Sequence, residues 1–414
     1  MERTEHIVKI AMVSEHTSPL GEPGGAHSSG QSVHVGELAA AYVQRGHEVS
    51  VYIRRTDPTS PTEVVTAAGY RLVRVPAGPP RALPLNESLP HLGDFGSFLQ
   101  RHWGRDKPDI VHAHFWMSGL AAELAARAHG IPVVVTFHAL GTVRRRNQGL
   151  ADTSPRSRIR FERLIAGRAA HIVATSADEV VELTRMGVPR FRISIVPCGV
   201  DLAAFTPEGG RAERGQRYRM HRLLSVGKLV PRKGFEVAIK ALQELPDTEL
   251  VIAGGPVGDD VEDDGEGRRL RRLAMEYGVQ DRLRMIGPVS RTELPRWYRS
   301  ADVVLCTPSY EPFGRTALEA MACRKPVVAT AVGGLLDTVV DGVTGRLIAP
   351  PDPLAVARAV RPLLDDKTLR ETWGAAGYQR AAGRYAWDQV ALETLTAYHR
   401  AAPAHAAEVV SSAR

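Results

Sequence analysis

Residues 302–330 read DVVLCTPSYEPFGRTALEAMACRKPVVAT. Val303 to Cys306 is a short apolar run closed by Thr307 and Pro308, which reads as a buried strand entering a turn. Pro326 to Thr330 repeats the pattern. Between them lies a helix-like run, for which Pro312 fits the first turn and Gly314 to Thr316 would present free backbone N–H groups at the N-terminus. A strand, a helix and a strand in about thirty residues make one βαβ unit with parallel strands.

Working outward, the same unit recurs. Upstream, "HRLLSVG" (221–227), "ELVIAGG" (249–255) and "RLRMIG" (282–287) are strand-like, and "GRLIAP" (345–350) follows downstream. A separate series fills the first half: "IVKIAMVS" (7–14), "EVSVYI" (48–53), "YRLVRVP" (70–76), "DIVHAH" (109–114), "PVVVTFH" (132–138), "HIVATS" (171–176) and "ISIVP" (193–197). The helix expected over Gln31–Arg45 carries Val33, Val35, Leu38, Ala39, Tyr42 and Val43 as an apolar stripe, with Gly46 as its C-cap. Periodicity lapses into a polar Gly/Arg/Pro stretch over 198–220, which predicts a hinge near Cys198 to Tyr218. The fold class is therefore α/β, with two similar domains, each a doubly wound parallel sheet, facing each other across a cleft.

Bulk properties agree with two domains of about 200 residues: the chain has 414 residues, 43% hydrophobic and 24% charged. Cys198, Cys306 and Cys323 lack metal-ligand spacing and read as reduced packing residues of a cytoplasmic protein, so no metal is expected. The N-terminus runs directly into a strand without a signal-peptide core, and no stretch of about 18 apolar residues occurs. The net charge of +7 collects in residues 143–168. Without aromatic interleaving it does not suggest nucleic acid; a solvated arginine face is one reading, an anionic ligand or membrane surface the other. The acidic run 258–267 lacks a calcium-loop register and reads as a solvated loop.

Ligands of such sheets bind beyond the carboxyl ends of the strands. The Gly314–Thr316 turn is an anion site in prospect. Glu311 precedes it and Glu319 follows on the second helical turn, so one carboxylate could meet a sugar and the other a ribose. Equally, Glu311 could be a turn residue and Glu319 a helix-dipole carboxylate. "SVGKLVPRKG" (225–234) ends a strand at Gly227 and offers Arg232 and Lys233 side by side, a bidentate guanidinium and a compact ammonium suited to a diphosphate; a solvated helix-start lysine is the alternative. The glycine-rich segment 14–35 could cradle an anion or simply turn. His138 ends a strand. His112 and His114 alternate and should face one side together, for packing or for a ligand.

These segments, with "DIVHAHFWMSG", "TFHALG", "VPCGVD", "EPFGRTALEAMAC" and "VGGLLDTVVDGVTGRL", occur in family order over roughly residues 7–400. The chain resembles the retaining GT-B glycosyltransferases of the sucrose-phosphate synthase and mycothiol glycosyltransferase type. The resemblance implies two Rossmann-like domains, an acceptor domain at 1–205 and a donor domain at 218–385, with helix 386–400 packing back on the first and 401–414 as a flexible tail. It implies that Arg232 and Lys233 hold the diphosphate, Glu319 the ribose, and Glu311 with Phe313, Gly314, Arg315 and Thr316 the donor sugar. Gly227 and Gly30 would approach the donor phosphates, and His138 the sugar near the reacting centre. It further implies retention without a metal or other cofactor beyond a nucleotide diphosphate sugar such as a UDP-sugar, a small-molecule acceptor, no required membrane, and a homodimer as one option. A nucleotide-sugar epimerase, a pyridoxal-phosphate-dependent phosphorylase and a non-transferring binding subunit would share the fold.

The acceptor side departs from relatives that glycosylate inositol phosphate. Where they carry asparagine, lysine, tyrosine and threonine, this chain has Ser32, Leu85, Phe115 and Ala139, and Arg158 alone matches a phosphate-binding arginine. Loss of an ammonium and two hydroxyls predicts an unphosphorylated polyol: a cyclitol, aminocyclitol, sugar or small natural product. Transfer to inositol phosphate or a sugar phosphate is the alternative.

Overall fold

Each short apolar run becomes a strand because a parallel sheet covered on both faces removes every side chain from water. The computed structural model describes residues 7–20, 30–213, 220–255, 264–349 and 351–401. Residues 21–29 of the glycine-rich segment, part of the polar stretch before His221, most of the acidic run and the tail beyond Ala401 lie outside the described residues. The described residues form two units: those up to Val196 and from Val390 onward make the first, and those from Pro197 to Gln389 the second.

In the first unit, β1 (Lys9–Val13), β2 (Glu48–Arg54), β3 (Glu63–Val65), β4 (Arg71–Val75), β5 (Ile110–His114), β6 (Val133–Thr136), β7 (His171–Ala174) and β8 (Ile193–Ile195) form one sheet in the order β3-β4-β2-β1-β5-β6-β7-β8. All pairs are parallel except β3 with β4. The antiparallel edge strand β3 escapes the sequence pattern because it has no buried face; Val65 is 70% exposed. The first helix spans Gly30–Gln44 and buries Val35, Leu38, Ala39 and Tyr42 as its stripe requires. The last helix, Trp387–Ala401, is tied into this unit by Tyr398, whose hydroxyl meets Tyr42 at 3.0 Å and His112 Nδ1 at 2.8 Å.

The second unit holds β9 (His221–Val226), β10 (Thr248–Ala253), β11 (Leu283–Met285), β12 (Val303–Cys306), β13 (Val327–Thr330) and β14 (Gly345–Ile348), parallel throughout in the order β11-β10-β9-β12-β13-β14. Its strands alternate between two cores. Leu223, Ile252, Val303 and Leu305 pack with Val237, Ile239, Val356 and Val360, while Leu224, Val251, Val304 and Val327 pack with Ala317, Leu318 and Met321. The helix after β12 spans Arg315–Ala322 and is capped by Gly314 in the left-handed region at φ 71°. Pro312 therefore lies in the turn before the helix rather than in its first turn, because the chain reverses hand at Gly314 before helical geometry begins.

Among the described residues no helix is long and apolar enough to cross a membrane. The three cysteines are free and buried, and burial pushes the thiols up to about 12, so they are poor nucleophiles.

Candidate active site

In the second unit the strand ends of β9 and β12 and the helix beginning at Arg315 line one pocket, with Ser225, Val226, Lys233, Glu311, Gly314 and Thr316 on its wall. Lys233 arrives on the 3₁₀ turn Pro231–Lys233, which Gly234 closes at φ 66°. A Cβ on Gly234 would sit 1.9 Å from the Thr307 carbonyl oxygen, so only glycine lets this turn press against the end of β12. Gly333 serves the same purpose across the pocket, where a Cβ would sit 2.2 Å from the Glu311 carbonyl oxygen.

Lys233 Nζ donates to Glu311 Oε2 at 2.6 Å. Burial alone would raise the Glu311 carboxyl, but Lys233 and, more weakly, Arg232 override it and hold it below the usual carboxylate range. Arg232 is tied to the same turn: its Nη1 donates to the Tyr310 carbonyl at 3.4 Å, and its own carbonyl accepts from Ser309 N–H at 2.9 Å. Glu319 accepts from the Tyr298 hydroxyl at 2.8 Å, and Arg315 Nε lies 3.3 Å from its other oxygen. Arg315 Nη1 is a buried donor with no partner among the described residues. Lys228, which sequence reasoning did not select, belongs to the same cluster; burial and the charges of Arg232, Arg315 and Lys233 lower its pKa. Its only signal in sequence is its place next to the strand-end Gly227. Tyr298 carries none, since it reaches Glu319 from the helix Leu294–Ser300.

The first unit gathers its polar side chains at the carboxyl ends of the adjacent strands β1, β5 and β6. Phe115 and His138 follow β5 and β6 with φ of 80° and 61°, backbone strain of the sort that clusters at functional sites. His112 and His114 do face the same side, their rings 4.1 Å apart. His114 Nδ1 and His138 Nε2 share a hydrogen bond of 3.0 Å, and His34 stands 5.2 Å from the His138 ring. Burial holds all four neutral: His34 is pushed down to about 4, His112 to about 3, and His114 and His138 well below the usual range.

The remaining first-unit candidates sit on helices or beside a strand end. Gly30 opens the first helix and Ser32 is buried in its first turn, its hydroxyl donating to the Ser18 carbonyl. Leu85 begins the short helix Leu85–Ser88 and is half-buried, as is Ala139. Arg158 is 1% exposed and already committed: Nε donates to Glu162 at 2.7 Å, Nη1 to Ser154 at 3.3 Å and Nη2 to the Ala139 carbonyl. Of the basic segment, Arg144 and Arg146 likewise pair with Asp152 and Glu182, while Arg145, Arg156, Arg160 and Arg163 are exposed. The solvated arginine face thus covers only part of it.

Residues 28–204 match the family model Glycosyltransferase Family 4, and residues 212–380 match Glycosyl transferases group 1. A D-inositol 3-phosphate glycosyltransferase of Xylanimonas cellulosilytica is 37% identical, covering 95% of this chain and 97% of that one. Another from Kineococcus radiotolerans is 36% identical over 99% of both chains. Among solved structures, the sucrose-phosphate synthase of Thermosynechococcus elongatus superimposes with a TM-score of 0.83 at 29% identity, covering 95% of this chain and 99% of that one.

Proposed function

Since the chain belongs to the GT-B glycosyltransferases, with a family 4 domain followed by a group 1 domain, we propose that it moves a sugar from a nucleotide diphosphate sugar, of the UDP-sugar class, to an unphosphorylated cyclitol-like acceptor with retention at the anomeric carbon. The observation that carries the donor half is the charge around the second unit's pocket. Lys228, Arg232, Lys233 and Arg315 stand against two carboxylates, Glu311 and Glu319. The surplus of two positive charges matches a sugar-nucleotide diphosphate. The orphaned Nη1 of Arg315 supplies a donor for it.

In this reading the donor is held by the second unit and the acceptor by the first. The acceptor hydroxyl oxygen forms a bond to the anomeric carbon as the bond from that carbon to the diphosphate breaks, and the departing diphosphate takes the hydroxyl proton. Lys233, Arg232 and Arg315 stabilise the negative charge on the leaving group, so electrostatics does most of the work. The buried, neutral His138 is assigned to the sugar undergoing transfer. A cytoplasmic setting accords with three unpaired buried thiols.

The names of the relatives favour a second reading, transfer to an inositol phosphate. The commitment of Arg158 to Glu162, Ser154 and Ala139 speaks for the unphosphorylated one, since the arginine offered for a phosphate already has partners.

A thermal-shift screen of UDP-, GDP- and ADP-sugars tests the donor half, because a ligand that binds only the native state raises its stability. No shift with any of them would overturn it. Glu311→Gln is expected to lose chiefly turnover and Glu319→Gln chiefly donor affinity, one carboxylate being assigned to the sugar and the other to the ribose. Steady-state kinetics showing the reverse split would exchange those assignments. Because side-chain cations are assigned to the diphosphate, transfer should continue at full rate in excess chelator. Loss of activity restored by magnesium or manganese would contradict that.

A further inference from the structure

At the end of β1, two neighbouring side chains carry buried polar atoms that no described residue satisfies: both carboxylate oxygens of Glu15 and Nδ1 of His16. Glu15 is 2% exposed. Its backbone is pinned, with N–H donating to Ser118 Oγ at 2.9 Å and the carbonyl accepting from Arg54 N–H at 3.0 Å. Its carboxyl group is not. Arg54 Nε stands 4.0 Å from Oε1, at the limit of ion pairing, while Nη1 and Nη2 of that arginine donate to the carbonyls of Pro79 and Arg81. Ser88 lies near enough to favour the ionised form, yet no hydrogen bond of good geometry joins it to either oxygen.

The surroundings place this carboxyl group among the residues assigned to the acceptor. His16 Nδ1 is 3.8 Å from Glu15 Oε2, and the His16 ring is 4.6 Å from the Phe115 ring. Arg158 lies 5.0 Å over the Phe115 ring and is spent on Glu162, Ser154 and Ala139. The helix that contributes Ser88 is the one that Leu85 begins. An ionised carboxylate is acceptor-only, so the group that completes it must bring donors. A phosphate dianion brings acceptors and a like charge. An ammonium brings three donors and the opposite charge. Burial without a full partner raises the Glu15 carboxyl to about 7, the state of a group that a cation would draw back to its ionised form.

We infer that Glu15 determines acceptor specificity, and that the acceptor is a polyol ring bearing an amino group whose ammonium docks on the Glu15 carboxylate. This rests on the glycosyl-transfer reading above and sharpens its acceptor.

The test uses the full chain, the nucleotide sugar that gives the largest thermal shift, and three versions of one ring: a free cyclitol, its phosphate monoester and its amino analogue. The amino ring should exceed the free cyclitol in kcat/KM by about tenfold to a hundredfold, the worth of a charge-assisted hydrogen bond, with the phosphate ester the poorest. In Glu15→Gln the ratio of kcat/KM for the amino ring to that for the free cyclitol should fall to about one, while the donor-induced thermal shift persists. Preference for the phosphate ester, an amino preference that survives Glu15→Gln, or transfer to none of the rings while the donor still binds would each overturn the inference. Absence of donor binding would instead sink the transferase reading. If Glu15→Gln did not fold, the ranking of the three rings by the native protein would decide.

Discussion

Lys233→Ala is expected to lower kcat/KM for transfer by about tenfold to a hundredfold and to destabilise the second unit. Two effects converge on one ammonium. In the transfer reading it stabilises the departing diphosphate, and a charge-assisted hydrogen bond of this kind is worth about 1.5–3 kcal/mol. It is also the 2.6 Å partner of Glu311, both side chains being mostly buried at 16% and 13% exposure. Removing one member of a buried pair strands the other, a loss of about 3 kcal/mol at the lower end of the usual range. The melting temperature of a unit this size should fall by roughly 6–12 °C. Adding Glu311→Gln to Lys233→Ala should recover much of that stability, because no carboxylate is then stranded, but no transfer. Parental kinetics in Lys233→Ala would show that the diphosphate is held elsewhere.

The first unit is expected to lose stability steeply as pH falls from 6.5 towards 4. His34 and His112 have native pKa values of about 4 and about 3, far below those of the unfolded chain, because burial excludes their charged forms. The unfolded state therefore binds more protons over this window. Stability is complete above the unfolded value of about 6.5 and is lost below it, at about 1.4 kcal/mol per pH unit for each such group. His114 and His138 shift in the same direction. His16 and His171, also pushed down to about 4, add to the loss. Glu15 and Glu123, raised by burial to about 7, and Glu162 and Glu179, raised in the same direction, oppose it, since acid removes an unfavourable buried charge there. Six histidines outnumber four carboxyl groups, so the net effect is a loss, and each such group matters when a domain's whole stability is about 5–15 kcal/mol. Protection factors of the β5 and β6 amides, that is exchange corrected for its intrinsic dependence on pH, measure this between pH 7 and pH 5. Unchanged or higher protection at pH 5 would show that the cluster is not held neutral by the fold.

Much of this protein is legible in its residues alone. Short apolar runs closed by Gly, Pro or small polar residues locate thirteen of the fourteen strands among the described residues, because a strand buried on both faces is largely apolar. The missing one, Glu63–Val65, has one edge paired and no buried face, so local composition has nothing to register. The glycines of "PRKG" and "VGG" sit where backbone meets backbone at about 2 Å from a notional Cβ, a constraint local enough to be written in sequence. Chain order alone also points to Lys233 and Glu311 as residues beyond strand ends, since a doubly wound topology sends those positions to one edge.

Only the tertiary structure decided how those charges are spent. It joined Lys233 to Glu311 across 78 positions, brought Tyr298 under Glu319, added Lys228 to the cations, and committed Arg158 to Glu162 and two further partners. It also buried Glu15 with both oxygens unmatched and drew four histidines into one neutral cluster closed by a tyrosine from the last helix. Periodicity reports whether a position faces a core, which depends on its near neighbours. Which polar groups meet inside that core, and which are left wanting a ligand, depends on residues brought together from distant turns of the chain.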